Sequence, residues 1–311
     1  MKIEYKSQPL KQNWEQELPK YWFDNSPFKT HFMNAMSIMT PVSEYAVIHT
    51  IKETQKILKD PELKKQINHM IAQENWHSYS HKKYNEWLES IDLPAFELSS
   101  KWLINLTTAK KRAEKFIGES SWLPAIVSGE HNAACFMEYI LERPALLQQM
   151  HPHFRQAWLW HCLEEIEHKG SSMDMWIDTK DYYNRKKWKL NTTFIIQSIR
   201  FHSNLVKFTL ILLNRDRQLW KWRTVKDGLS FIFGRDGLFL NTVGPWFKFF
   251  KTDFHPWNHD TRYLIEQYQK IIDTTEITPD RLAQIEEEFQ GCVANIEAVI
   301  AENNKTKVTV I

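Results

Sequence analysis

Residues 160–168, with the sequence WHCLEEIEH, constrain the fold of this chain more than any other segment. His161, Glu165 and His168 are spaced four and three residues apart, so a helix would place all three on one face. Apolar Trp158 and Leu159 come directly before this motif, which is unusual for a solvated helix face. The pattern favours a helix whose Glu165 and His168 point inward, where charged groups need a partner such as a metal ion.

Apolar residues at helical spacing predict an all-α chain, with no hairpin signal or internal repeat. KDPEL at 59–63 separates the first two helices, because Pro61 suits a first helical turn. A second break between helices lies between Pro144 and Pro152, and a third lies at FHPWNHD, residues 254–260. The predicted helices cover about 33–58, 61–91, 101–116, 120–143, 152–170, 260–274 and 280–302, and apolar, weakly punctuated sequence fills 187–250.

Three regions are predicted from this organisation. Residues 1–30 form an arm with aromatic anchors. Residues 31–275 form a metal-binding domain with an apolar helical cover at about 187–254. Residues 276–311 form a C-terminal helix and a loose tail.

Four glutamates are predicted to lie at one depth of a helical bundle. Glu44 and Glu74 lie about 15 and 13 residues from the KDPEL turn, and Glu130 and Glu165 lie about 13 residues from the second break. In antiparallel helices joined by short loops, equal distances from the turn mean equal depth, here roughly 20 Å. Two such hairpins packed together predict a ferritin-like four-helix bundle with additional C-terminal helices.

The sequence Glu-x-x-His occurs twice, as Glu74 with His77 and as Glu165 with His168. A Glu from each of two helices and a Glu-x-x-His from each of two others is the ligand set of dinuclear carboxylate proteins. Four carboxylates balance two divalent cations, and iron is favoured, with manganese or zinc as alternatives. The predicted metal ligands are Glu44, Glu74, His77, Glu130, Glu165 and His168.

Other assignments remain open for several of these residues. Glu44 follows Pro41 and two further residues, so it is alternatively a first-turn glutamate near a helix cap. Glu138 rivals Glu130, but its depth differs from that of Glu165 by roughly 12 Å. His161 is an additional ligand, an outer-shell group or a half-buried histidine. The outer shell is predicted to contain His81, Glu164 and Glu138.

Composition excludes some functions. The net charge of +2 gives no support for nucleic-acid binding. Three scattered cysteines, Cys135, Cys162 and Cys292, favour a reducing compartment. The N-terminal sequence has no signal-peptide pattern, so a cytoplasmic location is expected, with a small-molecule substrate as partner. The oligomeric state is not predicted.

Several segments resemble one known family. They are QENWH at 73–77 with His81 after it, GEH at 129–131, WHCLEEIEHKG at 160–170, GRDGLF at 234–239 and FHPWNHD at 254–260. With Glu44, they resemble the bacterial proteins called predicted metal-dependent hydrolases, of the ferritin-like superfamily, over most of 30–275. The ligand pattern is also similar to that of p-aminobenzoate N-oxygenases, which are di-iron enzymes; this similarity implies a place for His161 as a third histidine ligand.

Two enzymatic hypotheses follow. Two irons activate dioxygen to oxidise a small or lipophilic organic substrate, which the carboxylate-rich ligand set favours. Alternatively, a metal-activated water performs hydrolysis, which the family name favours. A third hypothesis is a non-catalytic iron-binding bundle, although about 140 residues after Gly170, rich in Trp and Phe, fit a substrate-enclosing cover better.

The segment 187–254 allows one further hypothesis. Its most apolar run, residues 192–213, contains Arg200, His202 and Lys207, which disfavours a transmembrane span. The segment therefore predicts either core helices or an amphipathic cover. Apolar faces edged with Lys and Arg bind anionic lipid, so the cover hypothesis predicts peripheral contact with the inner face of the membrane.

Overall fold

The computed structural model describes residues 10–117, 122–181, 186–269 and 271–272, together with residues 287, 289 and 298. Within these residues the protein is all-α, as predicted, and its one extended pairing is an isolated bridge between Phe23 and Met150. The α-helices are α1 Pro27–Gln55, α2 Pro61–Ser90, α3 Ala95–Ile117, α4 Leu123–Leu141, α5 Pro144–Gln148, α6 Pro152–His168, α7 Ser171–Asp178, α8 Lys187–Arg215, α9 Trp222–Phe233, α10 Leu238–Lys248 and α11 Arg262–Tyr268. A 3₁₀ turn covers Pro256–Asn258.

The start of α1 lies earlier than predicted. The Ser26 side chain accepts a hydrogen bond from the Lys29 amide, and Pro27 occupies the first turn, a combination that favours helix initiation. The helix therefore begins at Pro27 rather than near Met33.

The break between α1 and α2 lies where the KDPEL sequence predicts it. Asp60 accepts a hydrogen bond from the Glu62 amide at 2.8 Å, and Pro61 follows it in the first turn of α2. Because the connection is short, α1 and α2 pack side by side as an antiparallel hairpin.

Pro41 lies inside α1. Because proline has no amide N–H, the Ser37 carbonyl lacks its usual helical donor. Asn85 of α2 replaces that donor, since its Nδ2 donates to the Ser37 carbonyl at 3.1 Å. The helix continues through the proline, so Glu44 lies in the helix interior and the alternative assignment to a first turn is wrong.

The helices α1, α2, α4 and α6 contact one another in a ring. α1 contacts α2 and α4, and α6 contacts α4 and α2. This arrangement agrees with two packed hairpins, and the likeness of the ring to ferritin stays a prediction. Aromatic residues before α1 fill one part of the core, with Trp22 stacked on Phe154 at 4.5 Å between ring centroids and Trp14 on Tyr84 at 4.9 Å.

The segment predicted to be an apolar cover consists of α8, α9 and α10. α8 contacts α1 and α4, α9 contacts α1, and α10 contacts α4 and α9. None of the described helices has the length and apolarity that crossing a membrane requires. The predicted C-terminal helix and tail at 276–311 lie outside the described residues, apart from residues 287, 289 and 298.

Candidate metal centre

Buried acidic and imidazole side chains from all four helices of the ring meet in its interior. Two groups of potential ligand atoms each lie within 4.8 Å of one another. The first group comes from Glu44, His77, His161 and Glu165, and the second from Glu74, His77, Glu165 and His168. His77 and Glu165 belong to both groups, so the groups define two neighbouring positions at which a cation could bind.

Glu130 of α4 lies beside the second group. Its Oε2 is 3.6 Å from the Nδ1 of His168, and the same nitrogen is 3.5 Å from Glu74 Oε1. The structure therefore brings together all seven residues predicted from equal depth and helical spacing, including His161. Their role as metal ligands stays a prediction.

Burial and mutual repulsion oppose the ionisation of three carboxyl groups in this cluster. Burial, and after it the charges of Glu74 and Glu165, raises the pKa of Glu44 well above its usual range. Burial and the charges of Glu165 and Glu130 do the same to the pKa of Glu74. Burial and the charge of Glu165 raise the pKa of Glu130. Among the described residues, the salt-bridge partners of these groups are histidines and never Lys or Arg, so a cation is needed to ionise them together.

Glu165 behaves differently from the other three. Burial raises its pKa, but a hydrogen bond with His161 and the charges of His168 and His77 outweigh burial and lower the pKa to about 2. Its Oε1 lies 3.2 Å from His161 Nε2 and 3.7 Å from His77 Nδ1. The one carboxylate that ionises readily is therefore the one shared by both groups.

Several polar atoms of the cluster are sealed from solvent and form no hydrogen bond of good geometry. They are both carboxylate oxygens of Glu74, both ring nitrogens of His77 and of His168, Glu130 Oε2 and Glu164 Oε2. Each buried unsatisfied polar atom costs about 1–3 kcal/mol, so this many in one place indicates an absent binding partner. Carboxylate and imidazole donors without a thiolate fit a divalent transition metal such as iron or manganese, or zinc.

Glu164 contacts His77 on the side away from the other carboxylates. Its Oε2 lies 2.9 Å from His77 Nε2, whereas His77 Nδ1 faces Glu74 Oε2 at 3.5 Å. Burial lowers the pKa of His77, but the contact with Glu164 and the charges of Glu164 and Glu165 raise it to about 9. Both Glu164 and its neighbour Glu167 are buried, so neither is a surface residue.

A chain of hydrogen bonds leads from α1 and α2 to His161. Asn85 Nδ2 donates to the Ser37 carbonyl, which leaves Asn85 Oδ1 to accept from the Ser37 hydroxyl at 3.0 Å. The Ser37 Oγ lies 2.9 Å from His81 Nδ1, and His81 Nε2 lies 3.0 Å from His161 Nδ1. Burial and the charges of His161 and His77 lower the pKa of His81 well below its usual range, so this imidazole is neutral.

This chain favours the tautomer of His161 that carries its proton on Nδ1. Because the Ser37 hydroxyl donates to Asn85, Ser37 Oγ accepts from His81 Nδ1–H. The unprotonated Nε2 of His81 then accepts from His161 Nδ1–H. In this tautomer the lone pair of His161 Nε2 is directed at a cation bound beside Glu165, whereas without a cation Nε2–H donates to Glu165 instead.

Glu138, which was predicted for the outer shell, forms its hydrogen bonds in a separate buried cluster. Lys169 Nζ donates to Glu138 Oε1 at 2.7 Å, to Thr261 Oγ1 at 2.7 Å and to the His259 carbonyl at 2.8 Å. Burial raises the pKa of Glu138, but the bond with His259 Nδ1 and the charge of Lys169 lower it to about 2. Its charge is already neutralised, so Glu138 is not available to a metal.

The sequence interpretation missed Lys169. Lys169 lies in WHCLEEIEHKG and His259 in FHPWNHD, two segments noted for their resemblance, but Lys169 itself received no role. The Lys169 amine also lies 4.5 Å from the centre of the Trp257 ring. The available signal was a lysine directly after the inward-facing His168, because a buried ammonium requires a carboxylate elsewhere in the chain.

An apolar cavity of about 180 Å³ adjoins the metal-binding cluster. This volume is well above the roughly 10–15 Å³ that a single water needs, so the cavity has room for an organic molecule. Glu44, Glu130, His161 and Glu165 line it, and most of the remaining wall is apolar, with contributions from α1, α3, α4, α8 and α10. The sequence did not reveal this cavity, because its apolar wall has the same pattern as a filled core.

Comparison with known proteins identifies a family. A search of curated proteins and a search of solved structures gave no match. The sequence model of one family, described as predicted metal-dependent hydrolase, matches residues 7–260. This span contains every residue of the metal-binding cluster and all of the Lys169 cluster except Thr261. The chain therefore belongs to the family of predicted metal-dependent hydrolases.

Proposed function

We propose that this protein is an enzyme with a di-iron centre that uses dioxygen to oxidise an organic substrate. The observation that carries the proposal is the pair of overlapping groups of buried donors, which offer carboxylate and imidazole but no thiolate. Helical proteins with this donor set bind iron or manganese pairs. The likeness in ligand set is the support for oxidation rather than hydrolysis.

In this proposal Glu44, Glu74, His77, Glu130, Glu165 and His168 bind the two ions. When bound, the iron pair would supply the electrons that dioxygen chemistry needs. His161 is proposed as a third histidine ligand, because the hydrogen bonds from Ser37 through His81 leave a lone pair on its Nε2.

The protein's own residues have three roles in the proposed reaction. Glu164 forms an ion pair with His77 at Nε2, 2.9 Å away, which leaves the opposite nitrogen facing the cluster. His81 orients His161 in the same way. The apolar cavity wall positions the substrate beside Glu44 and Glu130 and excludes bulk water, which strengthens every electrostatic interaction in the site.

Hydrolysis by a metal-activated water is the second candidate, because the family description names it. The same donors would bind manganese or zinc, and a bound metal ion lowers the pKa of its water ligand toward neutrality. The two candidates therefore use the same residues and differ in whether the metal changes its oxidation state.

The experiment that tests the proposal is anaerobic reduction of the iron-loaded protein, followed by rapid mixing with dioxygen. We expect dioxygen consumption with a change in absorption and in Mössbauer parameters, and Glu74→Ala should abolish both. An iron form that is inert to dioxygen, together with ester cleavage by the manganese or zinc form, would establish hydrolysis instead. Inertness in both assays would leave the non-catalytic iron-binding bundle.

A further inference from the structure

Arg200 of α8 lines the cavity and, among the described residues, has no acidic partner. Its guanidinium lies 5.9 Å from the Trp102 ring centre and 5.7 Å from that of Trp122. One of its terminal nitrogens donates to Gln197 Oε1, but its Nε is sealed from solvent and donates to no acceptor. A partly buried arginine in this state has lost hydration without gaining a counter-charge.

A basic groove between α3 and α8 adjoins the cavity at this arginine. Trp122, Ala125, Gln197 and Arg200 line both the groove and the cavity. The Lys and Arg residues of the groove are Lys101, Arg112, Lys189, Arg200 and Lys207, and none of the described lining residues is acidic. Lys101 pairs with Glu97 on its own helix, and the other four form no salt bridge with a described residue. Such a groove attracts organic anions.

We propose that Arg200 binds the acid group of an amphipathic organic carboxylate whose apolar body extends through the cavity to the metal-binding cluster. Among the described residues of the cavity wall, Arg200 is the only basic side chain of the Lys or Arg type. Arg200 therefore sets the orientation, because the acid group of the ligand pairs with its guanidinium. This inference rests on the proposed function for the cluster, and it names the substrate class of that site.

Octanoate binding tests the proposal, with octan-1-ol as the uncharged probe of equal chain length. Isothermal titration calorimetry on the metal-containing protein should give tighter binding for octanoate than for octanol. Arg200→Gln should weaken octanoate binding on the order of tenfold to a hundredfold and leave octanol binding unchanged. Lys207→Gln is the matched control, because Lys207 lines the groove but not the cavity.

A carboxylate also binds metal ions, so the titrations must be repeated after chelation. If Arg200 binds the acid group, octanoate affinity and its loss in Arg200→Gln persist in the metal-free protein, with folding checked by circular dichroism. If octanoate affinity disappears with the metal, or is equal in wild type and Arg200→Gln, the proposal is wrong. Since no turnover is measured, a failure of the proposed oxidation chemistry does not affect this result.

A second, independent inference concerns the outer faces of α9 and α10. Trp222, Leu229 and Phe233 lie on one side of α9 and are 76%, 55% and 60% exposed, whereas the opposite side is buried. α10 is apolar and has no buried residue. The Phe233 and Phe239 rings lie 5.9 Å apart and join the two helices. Residues 217–251 contain seven Lys or Arg and two Asp.

We infer that this face, formed by the exposed residues of α9 and α10, docks on an anionic membrane surface. The exposed aromatic residues can insert into the apolar part of such a membrane, and the neighbouring Lys and Arg attract its anionic headgroups. The opposite side of α10 lines the cavity through Leu238, Thr242 and Trp246. The docked face would therefore place the cavity next to lipid, from which an apolar carboxylate can enter.

Vesicle sedimentation tests this inference. The protein should pellet with vesicles of phosphatidylglycerol and phosphatidylcholine at low salt and be released at high salt. The double variant Phe233→Ser with Leu240→Ser should stay in the supernatant, whereas the control Ile104→Ser, which removes an exposed apolar residue of α3, should not. Wild-type protein that remains in the supernatant at low salt overturns the inference. So does sedimentation velocity showing a dimer that the double variant converts to monomer, because a second copy then covers the face.

Discussion

Glu138→Gln should destabilise the fold without loss of metal, whereas Glu130→Gln should reduce metal binding without destabilising the metal-free fold. The contacts with His259 and Lys169 lower the pKa of Glu138 from 4.5 to about 2. At about 1.4 kcal/mol per pKa unit, ionised Glu138 stabilises the folded state by about 3 kcal/mol at neutral pH. Removing its charge also leaves the Lys169 ammonium buried without a counter-ion, which destabilises the folded state further.

This stabilisation depends on pH in a defined direction. Because the pKa of Glu138 is lower in the folded state, its contribution is present above pH about 4.5 and is lost as the pH falls towards about 2. Glu138→Gln lacks that contribution at every pH. The difference in unfolding free energy between wild type and Glu138→Gln should therefore be constant from pH 7 to about 5 and shrink as the pH is lowered from about 4.5 towards 2.

Urea unfolding of metal-free protein, with metal analysis of the same preparations, measures both effects. For Glu130, burial and after it the charge of Glu165 oppose ionisation, so metal-free Glu130→Gln should be at least as stable as metal-free wild type. The interpretation of the two clusters is refuted if Glu138→Gln loses metal while keeping its stability. It is equally refuted if Glu130→Gln retains full metal content.

Three further predictions concern the metal and its surroundings. Protein from iron-replete medium should contain close to two equivalents of iron by mass spectrometry, and one equivalent of zinc alone would contradict the dinuclear centre. Ser37→Ala removes the acceptor that orients His81, so chelator competition should show metal affinity reduced by roughly 10–100-fold, with little change in helix content. Gly129→Ala should stabilise α4 by about 0.5–1 kcal/mol in urea unfolding, because a Cβ there meets nothing within 4 Å. Gly170→Ala should instead destabilise by about 1–3 kcal/mol, because its Cβ would lie 2.5 Å from Trp257; equal effects of the two glycine substitutions would contradict this packing.

The placement of the four glutamates was predictable because it depends on local quantities. Helical rise and the distance of each residue from its turn determine depth, and the KDPEL turn has a readable cap in Asp60 and Pro61. The early start of α1 was also readable in Ser26 and Pro27, but the aromatic residues around them resemble an irregular arm.

The cluster of Lys169 and the position of Arg200 were not predictable in the same way. Lys169 meets Glu138 and Thr261, which are 31 and 92 residues away in the chain. Arg200 faces Trp102 across the cavity, and helical periodicity assigns it only to a face of α8. Such contacts depend on how helices pack against one another, which the pattern within each helix does not determine.

Pro41 creates a conflict between thermal stability and metal chemistry. A proline in a helix interior costs about 3 kcal/mol relative to alanine, so selection for heat resistance alone would replace it. Yet the carbonyl that it frees is the one that Asn85 uses to direct the Ser37 hydroxyl, and through it the His81 and His161 rings. Pro41→Ala should thus raise the melting temperature of metal-free protein while weakening iron retention. Laboratory evolution for thermostability alone would therefore select a variant that binds metal more weakly.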